Sequence, residues 1–199
     1  MVNVIDTRNS VLNTFLSEIR AVDIQQDRMR FRRNLERVGE VMAYEISKTF
    51  DYSARTIRTP INPISVMLPR QEVVIATVLR AGLPFHQGFL NYFDHAGSAF
   101  VSARRAYSRV EGQIEIRFDS VYTPDLTGKQ LLLVDPMLAT GGSAEAAITM
   151  LKQKGVKNIR FMCIIAAPEG VKKLQPARCG ICGKRIGRRA VDFMDSCSG

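Results

Sequence analysis

The chain has 199 residues, 46% of them hydrophobic and 24% charged, with four cysteines and a formal net charge of +9 at pH 7. That length suits one domain with a sizeable core, and no apolar run approaches the roughly 20 residues that a membrane-spanning helix needs. Four unevenly spaced cysteines (Cys163, Cys179, Cys182 and Cys197) are too few for a disulfide scaffold, so reduced thiols are expected.

The first residues, MVNVIDTRNSVLN, contain no basic segment leading into an apolar stretch with a small-residue cleavage site, and a cytoplasmic location is expected. Val11 to Ile19 and Phe31 to Ile46 carry apolar residues at spacings of three and four, which predicts two amphipathic packing helices. Arg28, Arg30, Arg32, Arg33 and Arg37 are interleaved with Met29, Phe31, Leu35 and Val38. This pattern reads as a solvated helix face rather than a nucleic-acid groove, so no nucleic-acid partner is expected despite the net charge. Arg55 to Leu68, rich in Thr and Ile and broken by prolines, is expected to be an irregular extended arm available to a partner element or subunit.

From Glu72 onward, short runs rich in β-branched residues alternate with Gly-containing turns and helical stretches. The expected strands are Val73 to Val78, Ala99 to Ala103, Gln113 to Phe118, Gln130 to Val134 and Ile159 to Ala166. The expected helices are Leu83 to Phe93, Ser143 to Lys154 and Glu169 to Leu174. Continuous apolar runs such as LLLV and FMCIIAA suit a sheet buried on both faces. The fold class expected is therefore α/β, a doubly wound and mainly parallel sheet preceded by N-terminal helices and an extended arm.

The chemistry concentrates in LLLVDPMLATGGS, Leu131 to Ser143, where a buried strand ends in an acid and runs through small residues into a helix. In an open α/β sheet, ligands bind at such strand ends. Thr140, Gly141, Gly142 and Ser143 let the backbone approach an anion, and the first N–H groups of the helix donate to it. Asp135 then faces sugar hydroxyls or a hydrated Mg²⁺ carried by a pyrophosphate. The plainer alternative is a strand-to-helix connection in which the glycines make the turn and Ser143 caps the helix.

The whole of DPMLATGGS resembles the motif with which type I phosphoribosyltransferases bind 5-phosphoribosyl 1-pyrophosphate (PRPP). Pro136, where many relatives carry a second acid, resembles the uracil phosphoribosyltransferases in particular. VLRAGLP, Val78 to Pro84, resembles that family's strand end whose arginine, here Arg80, binds pyrophosphate. A guanidinium suits this role because its fork matches two oxygens and stays charged. AFVSARRAYSR resembles the strand that ends in an aromatic followed by a PRPP-contacting arginine, which makes Arg105 the match and puts Arg104 at the aromatic's place. IIAAPEG, Ile164 to Gly170, resembles the segment that follows the PRPP helix.

The resemblance implies transfer of the phosphoribosyl group from PRPP to uracil, giving UMP and pyrophosphate in pyrimidine salvage. Asp135, Arg80 and Arg105 would be catalytic, and PRPP would contact Arg80, Arg105, Asp135, Pro136, Met137, Leu138, Ala139, Thr140, Gly141, Gly142 and Ser143. Mg²⁺ is the implied cofactor. At least a dimer is implied, with the Arg55 to Leu68 arm as a contact, and so is GTP as an effector found in some relatives. His86 and His95 receive no catalytic role.

The resemblance stops after Gln175, giving a phosphoribosyltransferase domain over 1–175 and a distinct tail over 176–199. The family reads uracil with a C-terminal segment of the form Tyr-Ile-Val-Pro-Gly-Leu-Gly-Asp-Ala-Gly-Asp, and the tail PARCGICGKRIGRRAVDFMDSCSG has no counterpart, so no uracil-binding residue is assigned. A PRPP-binding homologue with impaired catalysis is therefore the alternative function. Cys179 and Cys182 resemble half of a zinc ribbon, but no second CxxC or paired His completes four ligands. Codons for Arg178-Cys179 and for Phe193 to Ser196 also accommodate Asp-Val and Tyr-Gly-Phe in neighbouring frames, so a shifted reading frame is a further explanation of the tail.

Overall fold

The computed structural model describes residues 2–4, 9–107, 114–174 and 180–183. Helices α1 (Leu12–Arg20) and α2 (Arg28–Ser47) come first. Asp27 caps α2 by accepting from the amides of Met29 and Arg30 at 3.1 and 3.0 Å, satisfying donors that have no partner inside the helix. The central sheet has seven strands: β1 (Val2–Val4), β4 (Val73–Leu79), β5 (Gly97–Tyr107), β6 (Ile114–Tyr122), β7 (Gln130–Val134), β9 (Asn158–Met162) and β11 (Gly180–Gly183). Their order is β1-β11-β9-β7-β4-β5-β6, and every pairing is parallel except β5 with β6.

Helices cover both faces of this sheet, as the near-continuous apolar strands require. Along β7 the side chains alternate. Leu131 and Leu133 join Val74, Ala76, Ile148, Leu151 and Phe161 on the face covered by α4 (Gly142–Gln153) and α5 (Pro168–Leu174). Leu132 and Val134 join Val73, Ile75, Leu16, Val38, Phe85 and Phe89 on the face covered by α1, α2 and α3 (Leu83–Leu90). The expected α/β class and sheet are therefore present, with α2 crossing α3 closely. A Cβ added to Gly88 would lie 2.1 Å from the carbonyl oxygen of Glu36 on α2, and one added to Gly39 would lie 2.6 Å from that of Phe85.

Three features differ from the sequence expectation. The arm is a regular antiparallel hairpin of β2 (Tyr52–Arg58) and β3 (Pro63–Pro69), in unbroken register from Tyr52 opposite Pro69 to Arg58 opposite Pro63. Its partner strand is its own neighbour in sequence, because Pro63 and Pro69 fall at strand ends where a missing N–H costs little. Thr59 closes the turn, its hydroxyl donating to Asn62 O at 2.7 Å. Second, the run expected as one strand from Ile159 to Ala166 splits. After Met162 the amides of Ile164 and Ile165 turn to Pro136 O at 3.1 and 3.2 Å, and β10 (Ile165–Ala166) pairs with β8 (Met137–Leu138). Third, α3 stops at Leu90 rather than Phe93, with the Asn91 side chain drawn onto Glu36 and Glu40 of α2.

The expected boundary at 175/176 lies outside the described residues, as does most of the tail. Its Gly180–Gly183 segment forms β11 between β9 and β1, so Cys182 is a strand residue opposite Met162 and Asn3. Cys179 and Cys197 lie outside the described residues, and Cys163 is buried. No helix among the described residues is long and apolar enough to cross a membrane.

Candidate active site

The sequence-expected residues gather at the C-terminal edge of the parallel strands. Thr77 of β4 stands opposite Val134 of β7, so Asp135 leaves β7 next to the point where β4 runs on to Leu79 and Arg80. Arg80 is exposed, follows a cis peptide bond from Leu79, and has no carboxylate paired with it among the described residues. β5 ends its pairing with β4 at Ser102 opposite Leu79 and continues along β6 alone. That continuation carries the backbone of Arg104 and Arg105, opposite Arg117 and Ile116, to the same edge. The β5–β6 register shifts between Ser102 and Ala103, a bulge at the position where β5 passes the end of β4.

The loop from Asp135 to Gly141 is held from its inner side. Leu138 is buried in the core beside α5, and its carbonyl accepts from Ala167 N at 2.7 Å. Pro136 O is occupied by Ile164 and Ile165. Leu138 and Pro136 thus spend their carbonyls on the β10 segment, while Met137, Ala139 and Thr140 are exposed. Gly141, at φ +79°, turns the chain into α4 and is the helix N-cap, with no side chain bonded to the first turn. Ser143, read from sequence as a possible cap, lies inside the helix instead. The first amides of α4 therefore keep their donors for an anion placed on the helix axis. A Cβ on Gly170 would sit 2.3 Å from Ala139 O, so α5 lies directly against the loop.

Asp135 is the acidic group of this site. Burial pushes its carboxyl up to about 6, because a charge there loses hydration, and the Met137 N–H donating at 3.4 Å offsets that only in part. Carboxyls displaced in this way are common where a charged ligand supplies the missing partner. His86 is buried under β4, its Nε2 3.3 Å from Ile75 O and its ring tilted against Phe100; burial lowers its pKa. His95 is exposed.

Among the described residues no group of three or more His, Cys, Asp or Glu side chains could hold a metal ion. One carboxylate beside an anion-binding loop fits a Mg²⁺ that arrives already bound to substrate phosphates, which is how this ion is commonly held. A cleft of about 480 Å³ lined by Asp51, Arg70, Gln71, Glu72, Thr127, Gly128 and Lys129 lies where β4 and β7 begin, at the opposite edge of the sheet. Its Gln71–Asp51 and Lys129–Glu72 pairs satisfy one another.

A parallel sheet wound by helices on both faces, with a phosphate-type loop after β7 and an arginine turn after β4, defines a type I phosphoribosyltransferase. A purine phosphoribosyltransferase from Pyrococcus horikoshii has this fold, at a TM-score of 0.51 and 16% identity over 77% of the chain and 91% of its own. The AQ2163 protein from Aquifex aeolicus superposes at a TM-score of 0.79 with 26% identity, covering 96% of this chain and 91% of that one. The uracil phosphoribosyltransferase family matches residues 6–181, and the chain belongs to that family. Curated relatives include the uracil phosphoribosyltransferases of Porphyromonas gingivalis, 53% identical over 165 residues, and of Staphylococcus aureus, 38% identical over 163. These alignments cover 82% and 81% of this chain, and 76% of each relative.

Proposed function

We propose that this chain transfers the 5-phosphoribosyl group of PRPP to N1 of uracil, producing UMP and pyrophosphate in pyrimidine salvage. A bond forms between uracil N1 and the ribose C1′ while the C1′–oxygen bond to pyrophosphate breaks. The bonding pair leaves with pyrophosphate, and the N1 proton is released to solvent. The observation that carries this reading is the DPMLATGGS loop, opening beside the Arg80 turn into a helix whose first turn has no side-chain cap, in a member of the uracil phosphoribosyltransferase family. Nothing in the fold or the comparisons favours a catalytically impaired homologue.

In this reading Thr140, Gly141, Gly142 and Ser143 hold the 5′-phosphate, with Pro136, Met137, Leu138 and Ala139 shaping the loop. Leu138 contributes through its backbone, since its side chain belongs to the core. Asp135 accepts from the ribose hydroxyls and would be the carboxylate toward a hydrated Mg²⁺ carried by the pyrophosphate, whose charge the ion would neutralise. Arg80 and Arg105 carry the leaving group. Catalysis then comes from positioning and electrostatics rather than from a covalent intermediate. In this reading domain 1–175 supplies the PRPP site, and no residue of the 176–199 tail is assigned to uracil.

Assembly as at least a dimer follows from the same reading. The β2–β3 hairpin exposes Ile57, Ile61, Ile64 and Met67, and a second copy of the chain would cover them. GTP as an effector has no residue assigned and is tested by adding it to the assay. A cytoplasmic site of action fits a soluble salvage reaction.

The deciding experiment is UMP formation by the 199-residue chain from uracil, PRPP and Mg²⁺, with PRPP binding followed by calorimetry. Turnover that Arg80→Ala lowers by about 10- to 100-fold in kcat/KM for PRPP is expected, as for loss of charge-assisted bonds. PRPP binding without turnover would instead favour the impaired homologue.

A further inference from the structure

Thr77 is the one polar residue in the buried run of β4, and no part of the proposed reaction uses it. Its position is nonetheless central. The hydroxyl donates to Val134 O at 2.9 Å, the carbonyl immediately before Asp135. On its other side it lies against the turn that carries Arg80. A Cβ added to Gly82 would fall 1.9 Å from Thr77 Oγ1, so only a glycine lets the turn seat itself on the hydroxyl. Gly82 also opens α3, its carbonyl accepting from His86 N at 2.9 Å.

A single fully buried oxygen is thus wedged between the strand end that presents Asp135 and the turn that presents Arg80. Burying a hydroxyl in an otherwise apolar strand is unfavourable unless its hydrogen bond is made, so the Val134 bond is retained in the fold. The two groups it separates face different ends of one substrate. An arginine on the pyrophosphate and an acid on the ribose must stand at a spacing the substrate dictates, and small misplacements of binding groups lower rate steeply.

We infer that Thr77 is a positioning residue for PRPP, its hydroxyl fixing the spacing between the Arg80 turn and Asp135. The inference rests on the reading that Arg80 and Asp135 contact PRPP. It assigns the hydroxyl a role that a methyl group of equal size cannot take.

The test compares Thr77→Val, which keeps the shape and removes the donor, with Thr77→Ser, which keeps the donor, and with Arg80→Ala. Each is made in the full chain. Calorimetric Kd for PRPP with Mg²⁺ is measured together with the KM for each substrate, and folding is followed by thermal melting. The expected result is that Thr77→Val weakens PRPP binding and raises its KM about fivefold to tenfold, the scale of one hydrogen bond. KM for uracil stays within roughly twofold, as do all constants of Thr77→Ser.

Thr77→Val binding PRPP like the parent, while Arg80→Ala is impaired, would overturn the inference and leave the site reading intact. Equal losses in Thr77→Val and Thr77→Ser, equal effects on both substrates, or a Thr77→Val chain that does not fold beside a normal Thr77→Ser would also overturn it, since the hydroxyl would then serve packing or stability alone. Unchanged PRPP affinity in Arg80→Ala would overturn the site reading, and this inference with it.

Discussion

Asp135 shows how the proposed substrate site and the stability of its scaffold oppose each other. Its carboxyl, at 3.8 in the unfolded chain, stands at about 6 in the fold, so between those values the native state keeps a proton that the unfolded state has lost. Folding stability therefore falls as pH rises from about 4 to 6, by up to roughly 3 kcal/mol, and levels off above that range. Asp135→Asn removes the buried charge. Urea unfolding of this variant at pH 7 should give a more stable protein than the parent, and the difference should vanish near pH 4. Its PRPP affinity should drop by about 10- to 100-fold, since an amide cannot supply the charged acceptor. Exposed arginines behave differently. Arg33 and Glu36, 2.7 Å apart on α2, form a solvent-facing pair of little consequence for stability. Arg37 leans over the Phe15 ring and donates to Asn34, so it is partly a packing residue and not merely the solvated face that the spacing suggests.

Among the elements, the α2–α3 crossing is the contact with least tolerance. Gly88→Ala would drive a methyl group into the α2 backbone at Glu36, and neither helix can move without disturbing Phe85 and Phe89 in the core. A loss on the order of 2 kcal/mol or more is expected by denaturant titration, with PRPP affinity nearly unchanged. The hairpin makes the opposite case. Ile57 and Ile64 are directly opposed and exposed, so Ile57→Glu with Ile64→Glu should leave the melting temperature of an isolated subunit almost unaltered. If a second copy covers the hairpin as proposed, light scattering should report a larger assembly for the parent and monomers for this double variant.

The elements also mark what sequence can and cannot convey. Gln130–Val134 was readable to the residue because an unbroken apolar run between turn signals allows little else, and α4 began within a residue of its expected start. The Asp135 loop was legible for the same reason, following such a strand, whereas the Arg80 turn was read from the resemblance of VLRAGLP to the family's strand end. The hairpin's regular register, the split of β9 from β10 and the bulge before Arg104 were not legible, since each depends on a partner distant in the chain. Thr77 was hidden for a related reason. A threonine in a strand looks like ordinary β-propensity until the neighbouring strand and turn are in place.

At the scale of the whole molecule, the family match ends at residue 181, within β11, and the tail beyond it carries no counterpart of the segment with which the family reads uracil. Finding no downstream frame of the gene that encodes a Val-Pro-Gly-Leu-Gly-Asp segment would defeat the shifted-frame explanation of the tail. β11 itself brings a different matter forward. It joins β1 to the sheet, with Val2 opposite Ile181, so β1 has no partner until residues about 180 positions further on have been made. On the ribosome, the edge of β9 stays open while β4, β5 and β7 already pair, and an open edge is a template for other chains. Closing so long a loop comes late, after the local contacts have formed. Hydrogen exchange should accordingly find the amides of β1 and β11 the first to open and those of β4 and β7 the last. Emerging chains stalled short of β11 should cross-associate more readily than chains stalled after it.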